Sequence, residues 1–454
     1  MKPFITLVLS LLFVACVRDD GTGSPGPGED SGSQPGDNGE TAILVDDKAA
    51  PEDSAALQFD IRLNQASDIP VTVSWQTADG TALAGEDYEA ANGEVSFAAN
   101  EMVKSVSITL IGDAVDEAAE TFSLQLSDPS GAVLGDAAAE GTIANDDGSC
   151  SPELPGGDNP WLAEERVLIN YSHRGGALEY PENTLYSYKK SVEIGADVLE
   201  MDVYETGDGE LVVIHDETVD RTTNSSGSVS SYSVAELKAM DAAYWFVEGR
   251  GAVTDGEESD YLFRGVATGE TPPPKGYVAN DFTIPTLEEI LQAFPNTLIN
   301  IELKPDPDST GSYETKVADL LKAYGRTDDV IVASFIDVPA ALFKVQAPCV
   351  STSVPTGQAA IYVLTSQGPL PMTPVLGHHA FQVPPSLGIE VVTEDFVNDA
   401  HNQNVAVHVW TINSCDEMVR LLNLGVDAVM TDRPGLLEDV LAQTPGEWSC
   451  EDLE

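Results

Sequence analysis

The chain has 454 residues, 42% of them hydrophobic and 21% charged, an ordinary globular composition that excludes wholesale disorder and, at about 100 to 200 residues per domain, predicts two to four domains. It carries 21 Lys and Arg against 76 Asp and Glu, a formal net charge of −55. So negative a body repels polyphosphate, which excludes nucleic acid as a partner and requires any anionic substrate to be drawn in by a local cation or a bound metal.

Lys2 precedes an apolar run over residues 4–15. The run is too short for a bilayer core of about 30 Å and suits a signal-peptide core. It ends Leu12-Phe13-Val14-Ala15-Cys16, which resembles the bacterial lipoprotein cleavage box, with Phe13 where Leu is usual. Residues 1–15 are therefore expected to be a signal peptide and Cys16 the lipidated first residue, which would hold an exported protein on a membrane surface of the cell envelope. A plain signal peptide cut nearby, giving a secreted protein, is the alternative. An exported chain can oxidise Cys150, Cys349, Cys415 and Cys450. Cys150 and Cys450 bracket the C-terminal region and are expected to pair, against four free thiols as the other reading.

Residues 16–40 are dominated by Gly, Pro and Ser beyond residue 20 and read as a tether that cannot bury enough apolar area to order itself. Residues 41–148 alternate in short β-type runs at 56–61, 71–75, 103–110 and 122–126, predicting an antiparallel, immunoglobulin-like all-β sandwich. Its acidic residues Glu52, Asp87, Asp113, Glu117, Asp146 and Asp147 fall at run ends, where sandwich loops gather, and clustered carboxylates are tolerable around a cation. The segments ADGTALAGEDY (78–88), GEVSF (93–97), GDAVDEAAETFSLQL (112–126) and IANDD (143–147) resemble the Calx-beta family. That resemblance implies a second metal site at those six acidic positions, although Gly112 replaces an Asp often found there. A spacer or adhesion module with solvated acidic loops is the competing reading.

After a linker over 149–165, strand-like runs recur at 167–171, 198–203, 298–303, 330–335, 350–354, 380–383, 405–410 and 428–431. Helical spacing appears at 184–194, 286–294, 313–324, 394–402 and 416–424. Eight β/α units over residues 166–443 predict an α/β TIM barrel, with 444–454 as a tail. An extra strand is expected at 210–215, and 232–280 is a long insertion above the active face.

A TIM barrel carries its site at the C-terminal strand ends. There the chain offers His173 and Arg174 after strand 1, Glu200 and Asp202 on strand 2, His215, Glu302 and Lys304 on strand 3, His408 and Trp410 on strand 7, and Asp432 after strand 8. The i, i+2 spacing points Glu200 and Asp202 to one face, and likewise Glu302 and Lys304. Three inward carboxylates call for a cation, and an all-oxygen set favours Ca²⁺ or Mg²⁺ over zinc. Arg174 and Lys304 add fixed positive charge, making an anion trap in an acidic protein. Two imidazoles suit proton transfer to and from a phosphodiester.

The motifs SHRGGALEYPENT (172–184), GADVLEMDVYETGDGELVVIHDETVDRTT (195–223), IPTLEEIL (284–291), INIELK (299–304), VWTIN (409–413) and GVDAVMTDRP (425–434) resemble the glycerophosphodiester phosphodiesterase family, in order and over nearly the whole domain. The resemblance implies that His173 and His215 are the catalytic acid/base pair, that Glu200, Asp202 and Glu302 hold the metal, and that Arg174 and Lys304 hold the phosphate. It implies cleavage of a small glycerophosphodiester to glycerol 3-phosphate and an alcohol by attack of the substrate's own glycerol hydroxyl. Trp410 is expected to pack on the glycerol, and Glu182 and Asn183 to cap the first barrel helix. The rival functions are a lysophospholipase D or phospholipase-C-like enzyme acting on acyl lipids, with the insertion as acyl groove or lid, and a calcium-dependent adhesion protein with an inactive barrel.

Overall fold

The computed structural model describes residues 41–113, 119–144, 159–163, 167–304, 312–366, 375, 377–451 and 453. In the N-terminal region, alternation decides the packing. Along Ala56–Leu63, Leu57, Phe59 and Ile61 are buried while Gln58 is exposed, so one face of the strand enters a core shared with Val71, Val73, Phe122 and Leu124. Tyr88 stacks on Phe122 at 4.4 Å between ring centroids. Two sheets result among the described residues. One runs Val103–Thr109, Ala56–Leu63, Ala42–Val45, Val133–Leu134; the other runs Lys48–Pro51, Ala138–Ala144, Glu120–Ser130, Val71–Asp79, Asn92–Phe97. The expected all-antiparallel pairing is corrected at the edges. Ala42–Val45 pairs in parallel with Val133–Leu134, and Lys48–Pro51 in parallel with Ala138–Ala144. The chain crosses from one sheet to the other at Asp46-Asp47, so that Ala42–Val45 is an inner strand of the first sheet and Lys48–Pro51 an edge strand of the second.

The C-terminal region is a parallel barrel. Its strands are Ile169–Ser172, Val198–Glu205, Leu298–Leu303, Val330–Ala333, Ser351–Thr352, Ala380–Val383, Ala406–Val409 and Ala428–Thr431. The seam between the fifth and sixth is closed by a bridge from Ser353 to Ala380 and by the Val354 amide donating to the Ala380 carbonyl. The extra strand is present as Leu211–Val213, antiparallel to Val198–Glu205. Leu199, Met201, Val203, Ile299, Ile301 and Leu303 point outward under the helices. Their alternates Val198, Glu200 and Asp202, with Leu298, Asn300 and Glu302, face the lumen, which grades from apolar at the bottom to acidic at the mouth. Helices Asp337–Gln346, Thr356–Ser366 and Pro434–Leu441 escape a periodicity reading. The first exposes Val338, Leu342 and Val345 on its outer face, so the apolar stripe that signals a helix is blurred.

The segment expected as linker ends inside the barrel. Trp161 is fully buried and packs with Ile169, Tyr171, Val198, Ile331, Ala380, Ala406 and Ala428 at the bottom of the lumen. The Asn159 amide donates to the His379 and Asn404 carbonyls, both at 2.8 Å, and His408 Nε2 donates to the Trp161 carbonyl at 3.0 Å. Residues 159–163 are thus a plug, and His408 is an interior residue that secures it. Trp161→Ala is expected to lower unfolding free energy by about 3–5 kcal/mol, the usual cost of deleting a buried large aromatic side chain, as read in a urea melt of the whole chain.

Cys450 forms a disulfide with Cys415, not with Cys150 as expected, and Cys349 is also disulfide-bonded. Cys150 itself lies outside the described residues. The reason is that the tail folds back: Trp448, Cys450 and Leu453 pack against the core beneath helix Cys415–Leu424, which brings Cys450 to that helix instead of to the domain's start. The sandwich is seated on the barrel. Asp46 accepts from Arg62 of its own sheet and from Lys189 of helix Leu185–Glu193 at 3.3 Å, and Ala49 enters the barrel's outer core.

Candidate active site

The acidic triad follows from strand register. Asp202 lies directly beside Glu302 on the neighbouring parallel strand, and Glu200 is one lumen layer below Asp202. One carboxylate oxygen from each of Glu200, Asp202 and Glu302 lies within 4.8 Å of the other two. Glu200 and Asp202 are buried. Burial, with the Asp202 carboxylate alongside, pushes Glu200 up to about 7. Burial works upward on Asp202 as well, but Lys304 and the neighbouring cations outweigh it and hold Asp202 well below the usual range. The Lys304 ammonium reaches Glu302 at 2.5 Å and Asp202 at 2.9 Å. An all-oxygen donor set with one acid strained toward protonation fits a hard divalent cation.

His173 follows the first strand in a short 3₁₀ turn, His173–Gly175. Gly175 has φ +78°, and a Cβ there would lie 2.3 Å from Ser187 Oγ, so only glycine lets this loop close on the first barrel helix. The turn aims the Arg174 amide at Glu200 Oε2, 2.8 Å away. His173 Nδ1 is 2.6 Å from Asp432 Oδ1, and Asn413 fixes that carboxylate through its Nδ2 at 2.7 Å. The opposite nitrogen, Nε2, faces Glu200 at 4.0 Å. Burial works to lower His173, and the Asp432 carboxylate overcomes it to hold the imidazole above its ordinary value.

His215 repeats the pattern from the second strand's extension, with Nδ1 2.6 Å from Asp216 Oδ1. Each imidazole therefore has Nδ1 committed to a carboxylate, which leaves Nε2 as the nitrogen not held by that partner. Arg221 Nε donates to Asp216 Oδ2 at 2.7 Å, and its two terminal nitrogens grip both oxygens of Glu182 at 2.5 and 2.8 Å. Arg174 stands 3.6 Å from Glu182 and 3.6 Å from Asp202.

The structure thus brings His173, Arg174, Glu200, Asp202, His215, Glu302 and Lys304 to one rim. Trp410 follows the seventh strand, half-buried and edge-on to Phe335 at 5.3 Å. Glu182 and Asn183 are not caps: Thr184 caps helix Leu185–Glu193 in a reciprocal box with Ser187. Glu182 instead takes the two arginines, and Asn183 donates to Asp202 at 3.2 Å. Sequence reasoning gave no role to Asp216, Arg221 and Asn413, and left Asp432 as a strand end. The adjacency of Asp216 to His215 was the one available signal.

In the sandwich, the buried Glu52 accepts from the Asp113 amide at 2.9 Å, while Asp87 accepts from Leu83 in a local turn at 2.7 Å. Among the described residues Glu52, Asp87 and Asp113 do not form a group of three within ligand reach of one another. Glu117, Asp146 and Asp147 lie outside the described residues. A Cβ on Gly112 would sit 3.0 Å from Asp53 Oδ1 and from the Glu52 carbonyl, a tight approach.

A parallel barrel whose mouth joins acids, paired imidazoles and cations in this way belongs with the phosphoric diester hydrolases. The model of the glycerophosphoryl diester phosphodiesterase family matches residues 173–436, and the chain belongs to that family; a Calx-beta domain matches residues 37–147. A glycerophosphodiester phosphodiesterase from Bacillus altitudinis is 33% identical over 271 residues, covering 58% of this chain and 94% of that protein. A human lysophospholipase D is 27% identical over 308 residues, covering 61% and 88%. The solved glycerophosphoryl diester phosphodiesterase domain of a Mycobacterium tuberculosis protein superposes with a TM-score of 0.50 at 19% identity, covering 60% of this chain and 98% of that one, a likeness of fold.

Proposed function

We propose that the barrel hydrolyses glycerophosphodiesters to glycerol 3-phosphate and an alcohol by imidazole acid/base catalysis. The observation that carries this reading is the pair of His-carboxylate dyads, His173 with Asp432 and His215 with Asp216, flanking the acid triad with Arg174 and Lys304 on the same rim. Glu200, Asp202 and Glu302 would hold Ca²⁺ or Mg²⁺, which supplies Lewis-acid stabilisation of charge on the phosphoryl oxygens. Arg174 and Lys304 orient the phosphodiester and balance its charge. One imidazole takes the proton of the glycerol hydroxyl next to the ester as its oxygen bonds to phosphorus. The other gives a proton to the departing alcohol oxygen. Water then opens the cyclic phosphate with the two roles exchanged, leaving glycerol 3-phosphate. Trp410 offers an apolar face to the glycerol carbons.

In this reading the signal peptide, Cys16 lipidation and tether set the enzyme on an envelope membrane, where phospholipid turnover supplies its substrates. The direct test is enzymatic: incubation with glycerophosphocholine and Ca²⁺ or Mg²⁺ is expected to release glycerol 3-phosphate. Inertness toward it, with cleavage of lysophosphatidylcholine instead, would move the assignment to acyl lipids.

A further inference from the structure

Arg221 lies outside the barrel strands, in the loop after His215, yet it is the point at which two parts of the rim meet. Its Nε holds Asp216, the carboxylate that anchors His215 Nδ1, and its terminal nitrogens grip Glu182 at 2.5 and 2.8 Å. Glu182 belongs to the loop that carries His173 and Arg174, and its Oε1 stands 3.6 Å from the Arg174 guanidinium. Glu182 is buried, and a buried carboxylate is retained only when its oxygens are paired. The planar fork of one guanidinium satisfies both oxygens of Glu182 and still spans to Asp216, a geometry that a single ammonium cannot reproduce.

We propose that Arg221 is a positioning residue that locks the His215 loop to the Arg174 loop, so that one side chain sets both the aim of an acid/base imidazole and the placement of a phosphate-binding cation. This rests on the reading of the site as a phosphodiesterase. The consequence is a division of labour between the two carboxylates. Asp216 governs proton transfer through His215, and Glu182 governs phosphate binding through Arg174. Arg221 governs both through the two carboxylates it holds.

Steady-state kinetics on the full chain with glycerophosphocholine tests it. Asp216→Asn is expected to lower kcat with little change in KM, and Glu182→Gln to raise KM more than it lowers kcat. Arg221→Ala is expected to do both, with a loss in kcat of about 10²-fold, the low end of what a misplaced general acid or base costs. Millimolar guanidinium is expected to restore much of the Arg221→Ala activity, and ammonium at equal concentration to restore none. Arg221→Lys keeps the charge and the stem, and so guards against loss of the fold; it is expected to lose about tenfold because it cannot fork. Wild-type kcat and KM in Arg221→Lys, or an Arg221→Ala loss that ammonium repairs as well as guanidinium, would overturn the proposal. An inactive wild-type chain would instead count against the phosphodiesterase reading itself, which separates the two failures.

Discussion

Replacing His173 by Ala is expected to lower kcat on glycerophosphocholine by about 10²–10⁴-fold, with the native circular dichroism spectrum retained. The imidazole is held at one end by Asp432 at 2.6 Å and aims Nε2 toward Glu200 at 4.0 Å, so its removal deletes a proton carrier at the rim without opening the hydrophobic core. His215→Ala is expected to cost a similar factor. The double variant should lose far less than the product of the two, because each imidazole serves the same pair of proton transfers. Asp432→Asn is a sharper probe: the carboxamide keeps the shape but removes the charge that orients Nδ1, and a loss of kcat with KM preserved is expected. Progress curves for glycerol 3-phosphate release, with circular dichroism as a control for folding, decide it. Retention of full activity in His173→Ala would end the acid/base account.

Removal of divalent cations is expected to abolish turnover, and Ca²⁺ or Mg²⁺ to restore it and raise the melting temperature. At a free concentration one hundred times the dissociation constant, the stabilisation is about 2.7 kcal/mol. The dependence on pH has a definite sign. Glu200 is pushed up to about 7 by burial and by Asp202 beside it, so below about pH 7 a proton competes with the cation and affinity falls as pH is lowered. Its pKa in the folded, metal-free protein stands above the value of 4.5 for an ordinary glutamate. Folding therefore binds a proton, and the metal-free protein loses stability as pH rises from about 4.5 through about 7. The thermal shift on adding cation should accordingly be larger at pH 8 than at pH 6. Calorimetry in two buffers of different ionisation heat should register proton release near neutrality. Glu302→Gln is expected to abolish the shift, and a cation response identical at pH 6 and pH 8 would contradict the geometry.

Much of this site was readable before any fold was known, because strand chemistry is periodic. The alternation of Glu200-Met201-Asp202 places two acids on one face of a strand whatever surrounds it. The parallel barrel followed from eight apolar runs spaced by helical stretches, and the sandwich from short alternating runs. Helices such as Asp337–Gln346 were not readable, since an element that exposes valine and leucine to water has no contrast between its faces. Nor were the partners of the imidazoles. Asp432 reaches His173 across a separation of 259 residues, and Glu182 reaches Arg221 across 39, distances over which no local periodicity operates.

The amino-acid order alone determined which side chains face the lumen, which chemistry they can perform and how the chain divides into sandwich and barrel, because these depend on backbone periodicity and local composition. Only the tertiary structure decided that Asp202 stands beside Glu302, that Trp161 closes the barrel floor, that Cys450 bonds to Cys415, and that Arg221 ties Glu182 to Asp216. Those are outcomes of strand register and loop path, which are set where the whole chain minimises buried, unpaired charge and exposed apolar surface together.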